Sequence, residues 1–480
     1  MALLLLAALG IRVAYIDAEP YHAINDAGTY NRMASMIATW GDYHTGDAPR
    51  SGAGGSRGPT AYFPPAFPYY LAVADLVDGH EAGGRTAVPP ERIEMAVTGT
   101  ITVALIGLVA LEAFGEGAAW AAMVLTALYP AFIELSGILV AENLLVPLEL
   151  AAVWSLLRAR RSPHPYPWIA GAGVLAGLGA LTHENALLFV IPFAIGAWLA
   201  VRSPAVRATP PAPADDTASA ATATRGQSRR RPGLRALAAP LLLIVLVCAT
   251  IAPWTIRNAV ELHSFVPIAD ETGITLAGTY NRTSAGDKQV PYKWHLFSHV
   301  PSLRHFARHS ASETEVQLSD KLQQAAINYI KAHPTAPLQA AGDNTLRMLE
   351  LEGTFAWRAS TSALNIHEPW AGIGVSGFYV LGLLAIAGLF TRRARRAPAW
   401  LWLMPILYWL SIVVVNVETP RFREPIDPFF LLLAACAVSA AAEGLAARLG
   451  LRGTPVRSGG RSPQLTRDEP ELVQMVKRLA

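Results

Sequence analysis

Leu237-Ala-Ala-Pro-Leu-Leu-Leu-Ile-Val-Leu-Val-Cys-Ala-Thr-Ile-Ala-Pro-Trp-Thr-Ile256 runs directly into Arg257. About twenty residues without a formal charge make a helix long enough to cross a ~30 Å hydrocarbon core, and the Trp254/Arg257 pair at its end suits the membrane interface. Nine further apolar runs accompany it, at 2–16, 95–111, 118–133, 138–157, 168–182, 185–201, 372–390, 399–417 and 428–447. Of 480 residues 52% are hydrophobic and 16% charged, with a mean hydropathy of +0.30. That is too apolar for a water-facing surface, and the expected fold is an all-α integral membrane protein, a polytopic bundle of about ten transmembrane helices.

Threading the ten runs in alternating directions sends Arg158, Arg160, Arg161, the basic stretch Arg202 to Arg235, Arg392 to Arg396 and the Arg448 to Arg461 tail to one face. By the positive-inside rule that face is the cytoplasm, so the expected location is the plasma membrane. The opposite, outer face receives two long segments, 17–94 and 257–371, and short turns near Ser136, His183 and Glu418. Met1 opens straight into Ala2 to Leu9 without a basic stretch, so this run reads as a short or 5′-truncated first span rather than a signal peptide.

The chain therefore divides into an N-terminal membrane module, 1–201, and a C-terminal one, 237–450. Between them lies a linker, 202–236, rich in Ala, Pro, Thr and Arg, and after them a tail, 451–480; both lack the apolar residues to bury a core and read as disordered. The first outer segment predicts a helix from Asn25/Asp26, a Gly/Ser-rich loop from Gly46 to Pro59, and a rigid Tyr62-Phe-Pro-Pro-Ala-Phe-Pro68 turn entering an interfacial helix. In the second, Glu313 to Ala332 and Pro337 to Glu352 have the periodicity of helices lying on the bilayer, and neither segment reads as a separate domain with a large core. A net charge of +3 gives no reason to expect nucleic acid, since orientation accounts for the basic residues. Cys248 and Cys436 fall inside spans, where a thiol acts as a small apolar filler, and no zinc-type cluster is present.

The unusual polar residues gather at one depth. Asp26 follows the first span, Glu134 ends the third, Glu142 begins the fourth, His183 and Glu184 form the turn between the fifth and sixth, Arg257 ends the seventh, and Arg421 and Arg423 lie between the last two. Ionisable groups near hydrocarbon normally pair, snorkel or line a cavity. Each has a plain structural explanation: Asp26 as the cap of a helix Ala27 to Thr39, Glu142 snorkelling, His183 and Glu184 as hairpin polarity, Arg257 as a helix-end anchor. Their convergence on one face, with both signs of charge, points instead to a site half in lipid and half in water. Such a site suits a substrate with a lipid tail and a phosphate head, arginine forks holding phosphate and a carboxylate accepting a proton.

Asp26 with Tyr30 and Ala34, Tyr62-Phe-Pro-Pro-Ala-Phe-Pro68, Ala141-Glu-Asn143, Leu181-Thr-His-Glu-Asn185, Pro253-Trp-Thr-Ile-Arg-Asn258 and Arg421-Phe-Arg-Glu-Pro-Ile-Asp-Pro428 together resemble a family 39 type glycosyltransferase of the GT-C superfamily. Relatives include protein O-mannosyltransferases and lipid A aminoarabinose transferases. The resemblance covers roughly residues 15–447 and rests on the order of the motifs rather than on any one of them. It implies an inverting transfer of a sugar from a polyprenyl-phosphate donor to a protein, lipid or glycan acceptor, outside the membrane. Asp26 matches the first-loop acid that binds or deprotonates the acceptor. Many relatives carry a second acid next to it, where this chain has Ala27, so Glu142 or Glu184 is expected to complete the catalytic set. Arg257 is the positional match for holding the donor phosphate, with Arg421 and Arg423 in reserve because Phe63 replaces the lysine of the aminoarabinose transferases. Tyr30, Tyr62, His183 and Asn258, from the same motifs, complete the expected substrate-binding set. The departing phosphate is already stabilised, so no cofactor is required, although the carboxylates are compatible with a divalent ion. Rival readings are a lipid-linked sugar flippase, which expects charges near mid-bilayer, and an oligosaccharide ligase or polymerase.

Overall fold

The structure is a computed structural model that describes residues 1–44, 58–78, 89–202, 237–309 and 313–449. The expected linker beyond Arg202, most of the Gly/Ser-rich loop, and the tail lie outside the described residues. Each of the ten apolar runs contains helix, although the run 138–157 becomes helical only at Glu142 and the helix of the run 399–417 ends at Val413. In the N-terminal half, α1 is Ala2–Ala18, α2 Asn25–Trp40, α3 Ala66–Asp78, α4 Pro89–Phe114, α5 Glu116–Leu128, α6 Pro130–Leu135, α7 Glu142–Arg161, α8 Pro165–Thr182 and α9 Val190–Ala200. The C-terminal half contributes α10 Ala238–Glu261, α11 Thr272–Thr279, α12 Glu315–Ala332, α13 Ala336–Met348, α14 Thr354–Ala363, α15 Glu368–Leu389, α16 Ala399–Val413 and α17 Asp427–Arg448. Among the described residues no strand occurs beyond one isolated bridge between His44 and Pro59.

Among the described residues four helices, Pro90–Phe114, Ala238–Glu261, Glu368–Leu389 and Asp427–Arg448, are long and apolar enough to cross a membrane. The third run is broken: Pro130 has no N–H to continue α5, so the chain restarts as α6. The sixth run begins as a 3-10 turn, Glu184–Phe189, before α9.

The bundle packs α7 against α8 and α4, α8 against α10, and α17 against α15 and α5. Small residues set the closest of these approaches. A side chain at Gly173 would meet the Leu243 carbonyl of α10, and one at Gly177 would meet Thr250, so this Gly-x-x-x-Gly face lets two backbones touch where lipid offers no hydrophobic drive. The basic helix ends cluster at one extremity of the bundle: Glu112 receives Arg158 at 2.8 Å and Arg161 at 3.0 Å, and Arg393 meets Glu443 at 2.6 Å.

The second outer segment has a small core of its own, built from Ile274, Ala277, Tyr280, Phe297, Val300, Leu318, Leu322 and Ala326. Leu318, Leu322 and Ala326 recur at every fourth residue of α12, which Thr314 starts with a reciprocal cap to Gln317. This segment is pinned at both sides. Glu315 accepts from the Thr60 hydroxyl at 2.5 Å and the Ala61 amide at 2.9 Å, which joins it to the first outer segment. Thr279 donates to the Val415 carbonyl at 2.7 Å, which joins it to the end of α16. The two outer segments thus cover the helix ends where the polar residues gather.

Candidate active site

A cavity of about 200 Å³ opens under this cover. Its walls include Asp26, Tyr30, Pro64, Thr182, His183, Glu184, Asn185, Glu271, Thr272, Asn416 and Arg421. Six separate pieces of chain meet here: the start of α2, the turn at Pro64, the α8–α9 turn, the start of α11, the end of α16, and the loop before α17.

Arg421 stands at the centre, in the 3-10 turn Arg421–Arg423. Its Nε donates to both Glu142 oxygens, at 3.0 and 3.1 Å, and its Nη1 donates to Asp26 Oδ2 at 2.7 Å. The three side chains differ sharply in exposure: Glu142 0%, Arg421 6%, Asp26 44%. Glu142 lies in the first turn of α7, where unpaired amides favour a negative charge, so the buried end of the chain is anchored from two sides. Burial opposes the charge on Arg421, but Glu142 and Asp26 outweigh it and hold the guanidinium protonated well above the usual arginine range. The result is an anchored cation that presents one half-exposed carboxylate to the cavity.

Asp26 is not the cap of its helix. Ile24 occupies that place, α2 starts at Asn25, and the carboxylate sits in the first turn facing Arg421. Asn25 donates to the Ala363 carbonyl at 2.8 Å and fixes this start against the end of α14. Behind Asp26, Tyr30 packs on Phe63 and Phe67 with ring centroids 4.6 and 5.0 Å apart, so the Tyr62-Phe-Pro-Pro turn backs the cavity. Tyr62 itself stacks edge-on against Phe63 and is outside the lining.

On the opposite wall, His183 Nε2 lies 3.8 Å from Glu142 Oε1. Burial lowers the affinity of His183 for a proton, with Glu142 and Arg421 acting in opposite senses, and its Nδ1 has no hydrogen-bond partner. Burial pushes the Glu184 carboxyl up, with neighbouring Thr272 acting in the opposite sense. Glu271, at the start of α11, is raised well above the carboxylate range by burial, then by Glu184 and Asp26. Glu418, beside the cavity, is pushed by burial up to about 7 against the pull of Arg421.

Of the expected site residues, the structure brings together Asp26, Glu142, Glu184, Tyr30, His183 and Arg421. It does not bring Arg257, Asn258 or Arg423 to the cavity lining. Arg257 donates to the carbonyls of Thr60 at 2.7 Å and Tyr43 at 3.1 Å and lies over the Trp254 ring at 4.8 Å. Backbone oxygens that no ladder satisfies have taken up its fork, and it straps the first outer segment to α10. Asn258 donates to the Val266 carbonyl at 3.0 Å. Arg423 is enclosed by Glu350 at 2.8 Å, Asp427 at 3.1 Å and the Phe378 ring at 3.7 Å. Glu271 was not among the expected residues. Its one sequence signal is a carboxylate directly before a short helical stretch in an outer loop, which many surface helices share.

Residues 63–210 match the family model for dolichyl-phosphate-mannose-protein mannosyltransferase. The match contains Glu142, His183 and Glu184 but neither Asp26 nor Arg421. No curated protein sequence matches the chain. Among solved structures, the oligosaccharyltransferase of Archaeoglobus fulgidus tethered to an acceptor peptide aligns over 94% of this chain and 50% of its own, at 16% identity and a TM-score of 0.51. The same organism's AglB with an inhibitory peptide and a dolichol-phosphate aligns over 99% and 53%, at 13% identity and a TM-score of 0.50. ArnT from Cupriavidus metallidurans bound to undecaprenyl phosphate aligns over 95% and 81%, at 13% identity and a TM-score of 0.41. The chain spans about half the length of the archaeal enzyme whose fold it shares. The resemblance to GT-C proteins read from the motifs is borne out by the family match and this shared fold.

Proposed function

We propose that this protein is a glycosyltransferase that moves a hexosyl or pentosyl unit from a polyprenyl-phosphate donor to a protein, lipid or glycan acceptor, with inversion. In this reading all ten apolar helices span the plasma membrane and the cavity opens on its extracytoplasmic side, opposite the basic helix ends. The observation that carries it is the Arg421-held, half-exposed Asp26 at a cavity near the helix ends, where a lipid-borne head group and a water-borne acceptor meet.

Asp26 accepts the proton of the acceptor hydroxyl as its oxygen attacks the anomeric carbon. The bond from that carbon to the phosphate oxygen breaks on the opposite face, and the lipid phosphate leaves with the electron pair. Arg421 is the one arginine lining the cavity among the described residues, so phosphate binding passes to it from Arg257. Its pairing with Glu142 keeps it fixed while charge grows on the leaving group, an arrangement that needs no reorganisation during the reaction. No group of three His, Cys, Asp or Glu at metal-ligand spacing occurs among the described residues, and the proposed steps route nothing through a metal.

The test is transfer from a synthetic polyprenyl-phosphate sugar in proteoliposomes. A positioned base contributes ~10²–10⁴-fold, so Asp26→Asn should lose about that much in kcat while remaining folded. Wild-type turnover in a folded Asp26→Asn protein would remove Asp26 from the role. Movement of the lipid-linked sugar across the bilayer without release of polyprenyl phosphate would replace transfer with transport.

A further inference from the structure

Two neutral side chains on the cavity wall are left unused by the fold. Asn185 and Asn416 both line the cavity and are half-buried, and neither carboxamide has a hydrogen-bond partner among the described residues. Asparagines elsewhere are taken up by backbone carbonyls: Asn143 donates to Leu135 at 2.7 Å and Ile138 at 3.0 Å, Asn344 to Val413 at 2.8 Å, and Asn365 to His22 at 3.0 Å. Thr182 and Thr275, also on the wall, are spent in the same way, on the Leu178 carbonyl at 2.8 Å and the Glu271 carbonyl at 2.9 Å. Two amides therefore face the cavity with their full hydrogen-bonding capacity.

Both stand on backbone that is fixed. Asn185 lies in the 3-10 turn Glu184–Phe189, which the Ala186 amide closes onto the His183 carbonyl at 2.9 Å. Asn416 follows α16, its own amide donating to the Ile412 carbonyl at 3.1 Å while Thr279 holds the carbonyl of Val415 at 2.7 Å. The two elements pack on each other, with the Phe189 and Tyr408 rings stacked at 5.5 Å. A carboxamide offers two donors and an acceptor without charge, which matches sugar hydroxyls that both donate and accept. It also leaves the paired cation Arg421 free of competition for a phosphate.

We propose that Asn185 and Asn416 form the sugar-recognition subsite of the cavity, their carboxamides hydrogen-bonding the ring hydroxyls of a neutral hexose or pentose carried on the lipid phosphate. The inference rests on the lipid-phosphate donor of the proposed function and adds which groups choose the sugar. The phosphate is the same in every such donor, so Arg421 does not distinguish one sugar from another. A hydroxyl facing an otherwise unpartnered amide does, because a ring that lacks it leaves the amide unpaired once water is displaced. Asp26, on the same wall, disfavours a ring that bears a carboxylate, which leaves a neutral sugar as the fitting class. Asn185 and Asn416 are binding groups; the bond-making steps remain with Asp26.

The experiment titrates the full chain in nanodiscs with bare polyprenyl phosphate and with polyprenyl phosphate carrying glucose, mannose, galactose or arabinose. Wild type should bind at least one sugar-bearing lipid more tightly than the bare phosphate. Asn185→Ala and Asn416→Ala should each weaken that lipid by about 3–10-fold and move the bare phosphate by less than about twofold, with thermal unfolding unchanged because neither amide bonds the protein. Against single-deoxy analogues of the preferred sugar, each penalty should vanish for the analogue that lacks the hydroxyl in question. A preference for the sugar that survives in the double variant refutes the subsite, as does an equal loss on bare polyprenyl phosphate. Wild type that binds bare polyprenyl phosphate and gains nothing from any of the four sugars refutes the subsite and leaves the donor reading standing. Absence of binding to every one of these lipids refutes the donor reading itself, and the subsite with it.

Discussion

Replacing Arg421 by methionine should destabilise the protein by about 3–5 kcal/mol, the cost of leaving a buried charge without its partner. The structure assigns that loss to one of its two ion pairs. Glu142 is fully enclosed, and both of its oxygens take hydrogen bonds from Arg421. His183 Nε2 is 3.8 Å away, on a ring whose affinity for a proton burial lowers. The Asp26 arm is 44% exposed, so water screens it and its share is about 0–1 kcal/mol. Removing the orphaned acid as well, in Arg421→Met/Glu142→Met, should therefore recover most of the stability, because an apolar replacement for a buried pair is often neutral or better. Transfer should not return in the double variant, since Asp26 has lost the cation that holds it. The assay is reversible unfolding in bicelles, run alongside single-turnover transfer. Equal destabilisation of the single and double variants, within about 0.5 kcal/mol, would refute Glu142 as a charge dependent on Arg421.

Three further outcomes follow from contacts outside the bundle. Burial pushes Asp270 up to about 7 from 3.8, so above the lower value the folded protein retains a proton that the unfolded chain releases. Its contribution to stability is greatest at low pH, declines as pH rises through that interval and is lost above about 7; Asp270→Asn should thus gain in melting temperature relative to wild type between pH 5 and pH 8. Arg257→Lys exchanges a planar fork for a point charge that cannot serve the Thr60 and Tyr43 carbonyls together, and should speed amide exchange at 58–63 while the affinity for lipid phosphate changes less than threefold. A tenfold affinity loss with exchange unchanged would return Arg257 to phosphate binding. Gly273→Ala drives a Cβ into the Ser319 carbonyl, so it should cost about 1–3 kcal/mol, read by calorimetry.

The helices, their approximate limits and the segregation of charge could be read directly from the chain. Apolar runs such as Leu237 to Ile256 have one stable form in lipid, because a helix alone satisfies its own backbone. The gathering of Asp26, Glu142, His183, Glu184 and Arg421 at one level was legible for the same reason: a span's length dictates the depth of its ends. What the chain did not disclose is which of these residues face one another. Rotation about a helix axis depends on packing, as where Gly173 and Gly177 seat α8 on α10, and hydropathy is silent about it. The path of the outer segments was equally hidden. Whether Arg257 reaches a cavity or a carbonyl is decided by the fold of 58–63, and Glu271 joins the site only because Glu315 and Thr279 pin its segment over the helix ends. Hydrocarbon constrains local backbone strictly and leaves side-chain partnership to long-range contacts. Hydropathy and span length thus put a set of charged helix ends on one face, and long-range packing makes Arg421 link Asp26 to Glu142 across 395 and 279 residues of chain.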